Sequence, residues 1–269
     1  MAEGRDPVAG PAARTAQVVE VVDEGGMNRR LRLRVPGWPG SQPGQFAMLS
    51  PGARTEVARH DPLLPRPMAI YREGGEEVEI LLKVHGRGTA LLAEMLPGQH
   101  LRLVGPLGQG FALPAPDERA VIVAGGTGIA SVLGLAVRCA EPLVLLGARS
   151  ARDLMGVEDF ETLGVSLRIA TEDGSRGSRG LVTALLEEVL GGGGGQRVYA
   201  CGPTPMMARV AEIAAAHGRP CLASLENPMA CGFGVCLGCA APLRAGGFAL
   251  VCREGPVFDA SRIAWEGLP

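Results

Sequence analysis

Four cysteines near the C-terminus constrain this chain more than any other feature. Cys231, Cys236, Cys239 and Cys252 have the spacing C-x4-C-x2-C-x12-C. Three thiols in one short loop with a fourth further on is the plant-type spacing of a [2Fe–2S] centre. Thiolates are soft ligands that favour iron–sulfur clusters, zinc or copper(I). Gly232, Gly234 and Gly238 interleave the cysteines. Residues without a Cβ let the backbone wrap closely and aim N–H groups at sulfur. Such bonds stabilise the negative charge of a cluster and raise its reduction potential. A structural zinc site usually groups its cysteines in two close pairs, whereas here the grouping is three plus one. Zinc, or thiols buried by coincidence, are the competing readings. Cys139 and Cys221 lack this context and read as small core residues.

The segment carrying these thiols, 221–269, shows little hydrophobic periodicity. It is too short to bury much core alone, so a metal centre would serve as its staple. The whole chain has 269 residues, enough for two modest domains and an appendage. Hydrophobic residues make up 46% and charged residues 20%, which excludes global disorder. Forty glycines and 21 prolines point to many tight turns. A net charge of −2 gives no nucleic-acid or membrane footprint, and two Trp, two Tyr and six Phe are few for a base-stacking surface. The N-terminal MAEGRDPVAGPAART has no apolar segment of the secretory kind. Ala120–Val137 is uncharged but rich in glycine, and it reads as a buried strand, loop and helix instead of a membrane span. A cytoplasmic location is expected, where cysteines serve as metal ligands or free thiols instead of disulfides.

Two further regions precede the cysteine segment. Residues 1–116 carry short apolar runs between turn residues, among them RLRLRV, GQFAML, RPMAIY and EVEILLKV. Their alternation with period two predicts an antiparallel barrel or sandwich. Residues 1–14 read as a tail and 50–61 as a loop. Residues 117–220 alternate strand and helix patterns: AVIVAGG, PLVLLGAR, SLRIATEDG and RVYACGPTPMM as strands, LVTALLEEVL and MMARVAEIAAAHG as helices. Ile129, Val132, Leu133 and Ala136 fall at helical spacing. Repeated βα units imply a parallel sheet covered by helices. The expected architecture is therefore multidomain: a β-barrel over 1–116, an α/β nucleotide domain over 117–220, and a cluster module over 221–269.

Two loops in the second region suit a dinucleotide. In VAGGTGIA, Gly125, Gly126 and Gly128 flank Thr127 between a buried strand and a helix. Such a turn lets the backbone approach a pyrophosphate. Cys201, Gly202 and Pro203 form a second strand-end turn, and two such loops can flank one crevice. The order GGTG departs from the usual GxGxxG, and a tight turn without ligand is the alternative. Glu172 and Asp173 could bond a ribose or be solvated turn charges. Arg149, Arg152, Arg176 and Arg179 could accept a 2′-phosphate, although no strongly basic pocket is evident, so NAD is favoured over NADP.

Taken in order, PGQF (43–46), RPMAIY (66–71), HGRGT (85–89), GPLGQGF (105–111), AGGTGIA (124–130), ACGPTPMM (200–207), CGFGVCLGC (231–239) and CREGPVFDA (252–260) resemble one family. It is the electron-transfer subunit of class B dihydroorotate dehydrogenase, within the ferredoxin–NADP reductase-like flavoproteins. The resemblance covers about 15–269. It implies FAD in the N-terminal barrel, with Arg66, Pro67, Met68 and Ala69 as the flavin segment. Leu81, Leu82 and Lys83 would be the strand lining the flavin, and Gly88 and Thr89 the phosphate turn. Arg66 suits a pyrophosphate, because its planar fork matches phosphate oxygens. The family commonly has Ser or Thr at the position of Ala69, so contact to flavin N5 would fall to a backbone amide or water.

Nicotinamide carries a hydride and a cluster carries one electron, and a flavin converts between them. The resemblance implies a partner, an FMN-containing dihydroorotate dehydrogenase catalytic subunit, in a heterotetramer. Electrons would pass from that FMN through the [2Fe–2S] cluster and FAD to NAD+, in pyrimidine biosynthesis. No catalytic nucleophile or general base is expected, and the four histidines are scattered. The alternatives are the flavin and iron–sulfur subunit of a ferredoxin:NAD(P) oxidoreductase or hydrogenase complex, or a zinc-stapled nucleotide-binding regulatory protein without turnover.

Overall fold

A computed structural model describes residues 11–51, 62–194 and 196–269. The loop expected at 50–61 lies almost wholly outside these residues, as does most of the expected tail. The tail is shorter than expected, because Ala12–Arg14 already pair with Leu103–Gly105.

Seven strands form the first sheet: β1 (Ala12–Asp23), β2 (Asn28–Arg34), β3 (Phe46–Ser50), β4 (Arg66–Ala69), β5 (Arg72–Gly74), β6 (Glu77–Lys83) and β7 (His100–Leu107). Their order is β4-β3-β7-β1-β2-β6-β5, with every pairing antiparallel. The period-two pattern works as the sequence implies: Leu31, Leu33 and Val35 are fully buried while Arg30, Arg32 and Arg34 lie on the opposite face, Arg30 and Arg32 half-buried and Arg34 exposed. Among the described residues the two ends of the sheet are not paired to each other, so the expected barrel is a half-barrel. Helix α1 (Arg87–Ala93) follows β6 and sends Leu92 into its core.

The second sheet contains β8 (Arg119–Gly125), β9 (Leu143–Ala148), β10 (Ser166–Thr171), β11 (Ser178–Arg179), β12 (Gln196–Cys201) and β13 (Cys221–Ser224). A hairpin, β14 (Ala240–Pro242) and β15 (Phe248–Leu250), stands apart, and β16 (Val257–Asp259) returns to the sheet edge. The order is β11-β10-β9-β8-β12-β13-β16. All neighbours are parallel except β13 and β16. Six of the seven β8 residues are buried, as a central parallel strand requires. Helices α2 (Leu133–Arg138), α3 (Val157–Leu163), α4 (Val182–Gly191) and α5 (Thr204–Ala216) cover the faces, and α6 (Val251–Glu254) carries Cys252. No helix among the described residues is long and apolar enough to cross a membrane.

Two further expectations are corrected by the strand pairing and the glycine turn. The cysteine segment does not separate at 221, because Cys221–Ser224 is a strand of the nucleotide sheet, paired in register with Val198–Cys201. The helix expected behind the glycine loop is a 3-10 turn over Gly126–Ser131 followed by the short α2. The turn tightens there because Gly128 packs directly on the Cys201 carbonyl and the Gly202 amide.

Candidate functional site

The β8 strand lies at the point where the strand order reverses. The chain runs from β8 to β9 and β10 on one side, and then to β12 and β13 on the other. Ligands of open α/β sheets bind beyond the carboxyl ends of strands at such a point. A cavity of about 330 Å³ opens there, against the half-barrel. Gly44, Phe46, Pro67, Met68, Ala69, Leu81, Leu82, Lys83 and Thr89 line it from the half-barrel. Thr127, Ala130, Ser131 and Ser224–Glu226 line it from the nucleotide sheet, and Asn227, Met229 and Pro256 from the cysteine segment.

Every residue of the expected flavin strands except Arg66 is thus on one wall. Arg66 stands behind it, with its guanidinium packed on Gly88 so closely that a Cβ at 88 would overlap it. Its Nη1 donates to the carbonyl of Leu64 at 2.8 Å. Thr89 works at the start of α1: its hydroxyl accepts from the His85 amide at 2.8 Å and donates to the Gly86 carbonyl at 3.1 Å. Lys83 reaches Asp153, in the 3-10 turn that follows β9, at 2.7 Å. That ion pair, aided by Ser150 against the effect of burial, holds the Asp153 carboxyl below its ordinary range.

The two nucleotide loops interlock. A Cβ at Gly125 would lie 2.6 Å from Met206 Sδ, and one at Gly202 would lie 2.8 Å from the Gly125 carbonyl. Gly126 instead has φ +56° and faces open space, which leaves its backbone free to meet a ligand. Pro203 ends the turn and caps the N-terminus of α5. Cys201 is fully buried below the crevice, and burial pushes its thiol up to about 12. Asp173 does not point to a ribose, because it accepts from both the amide and the hydroxyl of Ser175 as a turn cap. Arg176 is engaged by Glu161 at 2.7 Å.

Glu226 escaped the sequence reading. Its carboxylate lies 3.5 Å from the Thr127 hydroxyl at the crevice wall. Glu226 is exposed to solvent, yet neighbouring protein atoms crowd its carboxylate. This desolvation raises its pKa, against the Thr127 hydrogen bond. The available signal was isolation: Glu226 is the only charged residue between Arg219 and Arg244.

The four cysteines stand as two pairs, and all are free of disulfides. Cys239 and Cys252 are buried with their sulfurs 3.2 Å apart. The Gly234 amide donates to Cys252 at 3.1 Å and the Cys252 amide to Cys239 at 3.4 Å. Burial and then the neighbouring Cys239 thiol push Cys252 up to about 12. Cys231 pairs with Cys236. Burial opposes its thiolate, but the amides of Cys236, Phe233 and Val235 and the Cys236 thiol bring it down to about 6. No three Cys, His, Asp or Glu residues gather around one ion position among the described residues. The three-plus-one spacing along the chain, with amides aimed at sulfur and no single ion position shared by the thiols, suits a centre of two irons better than one tetrahedral zinc.

This half-barrel, parallel sheet and thiol cradle define an oxidoreductase of ferredoxin reductase-like fold with FAD, NAD and [2Fe–2S] as its cofactors. Residues 122–212 match the oxidoreductase NAD-binding domain, and residues 226–264 match the iron–sulfur cluster binding domain of dihydroorotate dehydrogenase B. The chain is 39% identical over 231 residues to the dihydroorotate dehydrogenase B (NAD(+)) electron transfer subunit of Caldanaerobacter subterraneus subsp. tengcongensis, covering 84% of this chain and 89% of that one. It is 38% identical over 247 residues to the probable counterpart from Methanopyrus kandleri, covering 90% and 88%. A solved structure of the NADH-dependent reduced ferredoxin-NADP oxidoreductase, studied for flavin-based electron bifurcation, superposes with a TM-score of 0.81. It shares 25% identity and covers 94% of this chain and 90% of that one. The chain belongs to the family of dihydroorotate dehydrogenase B electron transfer subunits.

Proposed function

We propose that this chain passes electrons between an FMN-containing dihydroorotate dehydrogenase catalytic subunit and NAD+, in a heterotetramer of the cytoplasm. The observation that carries this reading is the single crevice walled by residues of all three segments. A flavin bound there supplies exchange between hydride and single electrons. Arg66 and the α1 turn at Gly88 and Thr89 would hold its pyrophosphate, with Pro67–Ala69 and Leu81–Lys83 against its ring. The Lys83–Asp153 pair ties the flavin wall to the nucleotide sheet, so the two ligands would keep one relative position. Gly125, Gly126, Thr127 and Gly128 would admit the dinucleotide against Cys201, Gly202 and Pro203. Cys231 with Cys236, and Cys239 with Cys252, would each hold one iron. By function the chain divides into a flavin unit over 1–116, a nucleotide unit from 117 through β13, and a cluster unit after it.

Around the thiols, Phe233, Val235, Leu237 and Phe248 are each more than half exposed. A cluster of such residues beside a redox centre fits a docking face for the catalytic partner. The test is a visible spectrum of the purified chain with a co-purification assay. Flavin bands, broad iron–sulfur absorption and capture of a dihydroorotate-oxidising FMN protein are expected. A colourless, zinc-containing chain would sink the proposal.

A further inference from the structure

The crevice and the thiol cradle are joined by packing that none of the roles above requires. Phe46 lines the crevice, and Met48 lies two residues on, along the same face of β3. Both are buried and belong to one apolar cluster with Leu107, Cys239 and Cys252. Gly232, next to Cys231, closes directly on Met48. A Cβ at 232 would overlap Met48 Cγ and lie 2.9 Å from its Sδ and 3.2 Å from Leu107. Gly232 also has φ +85°, a conformation open to glycine at little cost. On its other side, Met48 is paired across the ladder with Pro67 of the proposed flavin segment, and Phe46 with Ala69. A second seat lies beside the first: the Gln109 amide donates to the Gly255 carbonyl at 2.5 Å, and a Cβ at Gly108 would lie 2.6 Å from Pro256 and 2.9 Å from Phe46.

We propose that Phe46 and Met48 are the electron bridge between flavin and cluster, and that the missing side chain of Gly232 sets its length. The proposal rests on the flavin and cluster sites above. Electronic coupling passes through packed atoms far better than across a gap, and a void on one side of Met48 would forfeit its contacts there. Each transfer takes one electron from one centre and adds it to the other, with no bond made or broken at Met48. Two such transfers match one hydride at the nicotinamide end. Met48 and Gly232 are therefore positioning residues: neither is expected to touch nucleotide or iron.

The experiment uses the full chain loaded with FAD and cluster, mixed anaerobically with NADH in a stopped-flow spectrometer. In Met48→Ala the flavin should bleach as in the parent chain. Cluster reduction should slow on the order of tenfold, the scale on which ångström displacements act on rates. Met48→Leu, which conserves volume, should restore it. Pulsed EPR should show a changed distance between the paramagnetic centres in Gly232→Ala, at parental iron content. Ile263→Ala, in the same apolar cluster, should lower the melting temperature and leave cluster reduction unchanged. If Met48→Ala loses its iron, Phe46→Leu becomes the deciding variant, with cluster reduction slowed relative to flavin bleaching. Cluster reduction at the parental rate in an iron-replete Met48→Ala chain overturns the bridge. A parent chain without flavin or cluster absorption instead refutes the proposed function.

Discussion

The phenol of Tyr71 donates to Asp159 Oδ2 at 2.6 Å and so fastens the half-barrel to the nucleotide sheet. Arg30 reaches the same oxygen at 2.6 Å, while also binding Glu24 at 2.6 Å and Glu79 at 3.1 Å. Arg72 takes Oδ1 at 2.5 Å. Two arginines from one unit thus converge on a single carboxylate of the other. Arg30 and Asp159 are mostly withdrawn from water while Arg72 stays exposed, so Arg30 and Asp159 depend most on each other for compensation.

Asp159→Asn should therefore leave Arg30 and Arg72 under-compensated and destabilise the chain by about 2 kcal/mol. Burial works against the Asp159 carboxylate, but bonds from Arg30, Tyr71 and Arg72 prevail and lower its pKa below the ordinary 3.8. A carboxylate depressed in the folded state contributes stability that is complete above its unfolded pKa. That stability fades as pH falls through the lower folded value. The parent and Asp159→Asn melting curves should differ most above pH 3.8 and converge below it. A constant difference down to strong acid would remove Asp159 from this role.

Gly128→Ala should weaken dinucleotide binding while leaving FAD and iron in place. The new Cβ meets the Cys201 carbonyl and the Gly202 amide, both backbone and unable to rotate aside. Overpacking of this kind costs about 1–3 kcal/mol, which corresponds to a KM for NADH raised roughly fivefold to 150-fold. Steady-state reduction of a dye by NADH measures it. Gly126→Ala has open space around its Cβ and is strained only through its φ of +56°, so its effect should be smaller.

What the sequence disclosed follows from range. The cysteine spacing could be read because ligand and loop lie within a few residues of one another. The strands of both sheets could be read because alternation in LRLRV and unbroken burial in AVIVA are local patterns. The flavin and dinucleotide motifs sit on local turns; of their residues, Pro67–Ala69, Leu81–Lys83, Thr89 and Thr127 line the crevice, whereas Arg66, Gly88, Gly125, Gly126, Gly128 and Cys201–Pro203 do not. The Tyr71–Asp159 lock spans 88 residues and the Arg30–Asp159 pair 129, with no periodic signal at either end. Phe46, Met229 and Pro256 line the crevice through packing between segments, and the membership of Cys221–Ser224 in the nucleotide sheet depends on pairing with β12.

Cys239→Ser should lose the cluster or hold it in unstable form. Its sulfur is buried, lies 3.2 Å from Cys252, and accepts the Cys252 amide. A serine oxygen is a harder ligand and shorter by the difference between oxygen and sulfur radii, so it serves iron poorly. Iron analysis and EPR should show the loss. Flavin reduction by NADH should persist, because the crevice wall does not include Cys239. Unchanged electron delivery to the partner's flavin would remove Cys239 from the cluster.

Glu226→Gln tests the carboxylate at the crevice wall. Desolvation raises the Glu226 pKa above its ordinary 4.5. For an acid raised in the folded state, the protonated form carries no penalty below the unfolded pKa. As pH rises through the folded value, the chain must either keep a proton or charge a crowded group, and stability falls. The parent chain should therefore lose stability from pH 4.5 upward relative to Glu226→Gln, whose amide does not titrate. Thermal melts across that range give the comparison. Gln keeps the shape and can still accept from Thr127, so flavin content should be equal in the two chains. Parallel melting curves from pH 4.5 upward would show that Glu226 is solvated through the open mouth and titrates as an ordinary surface acid.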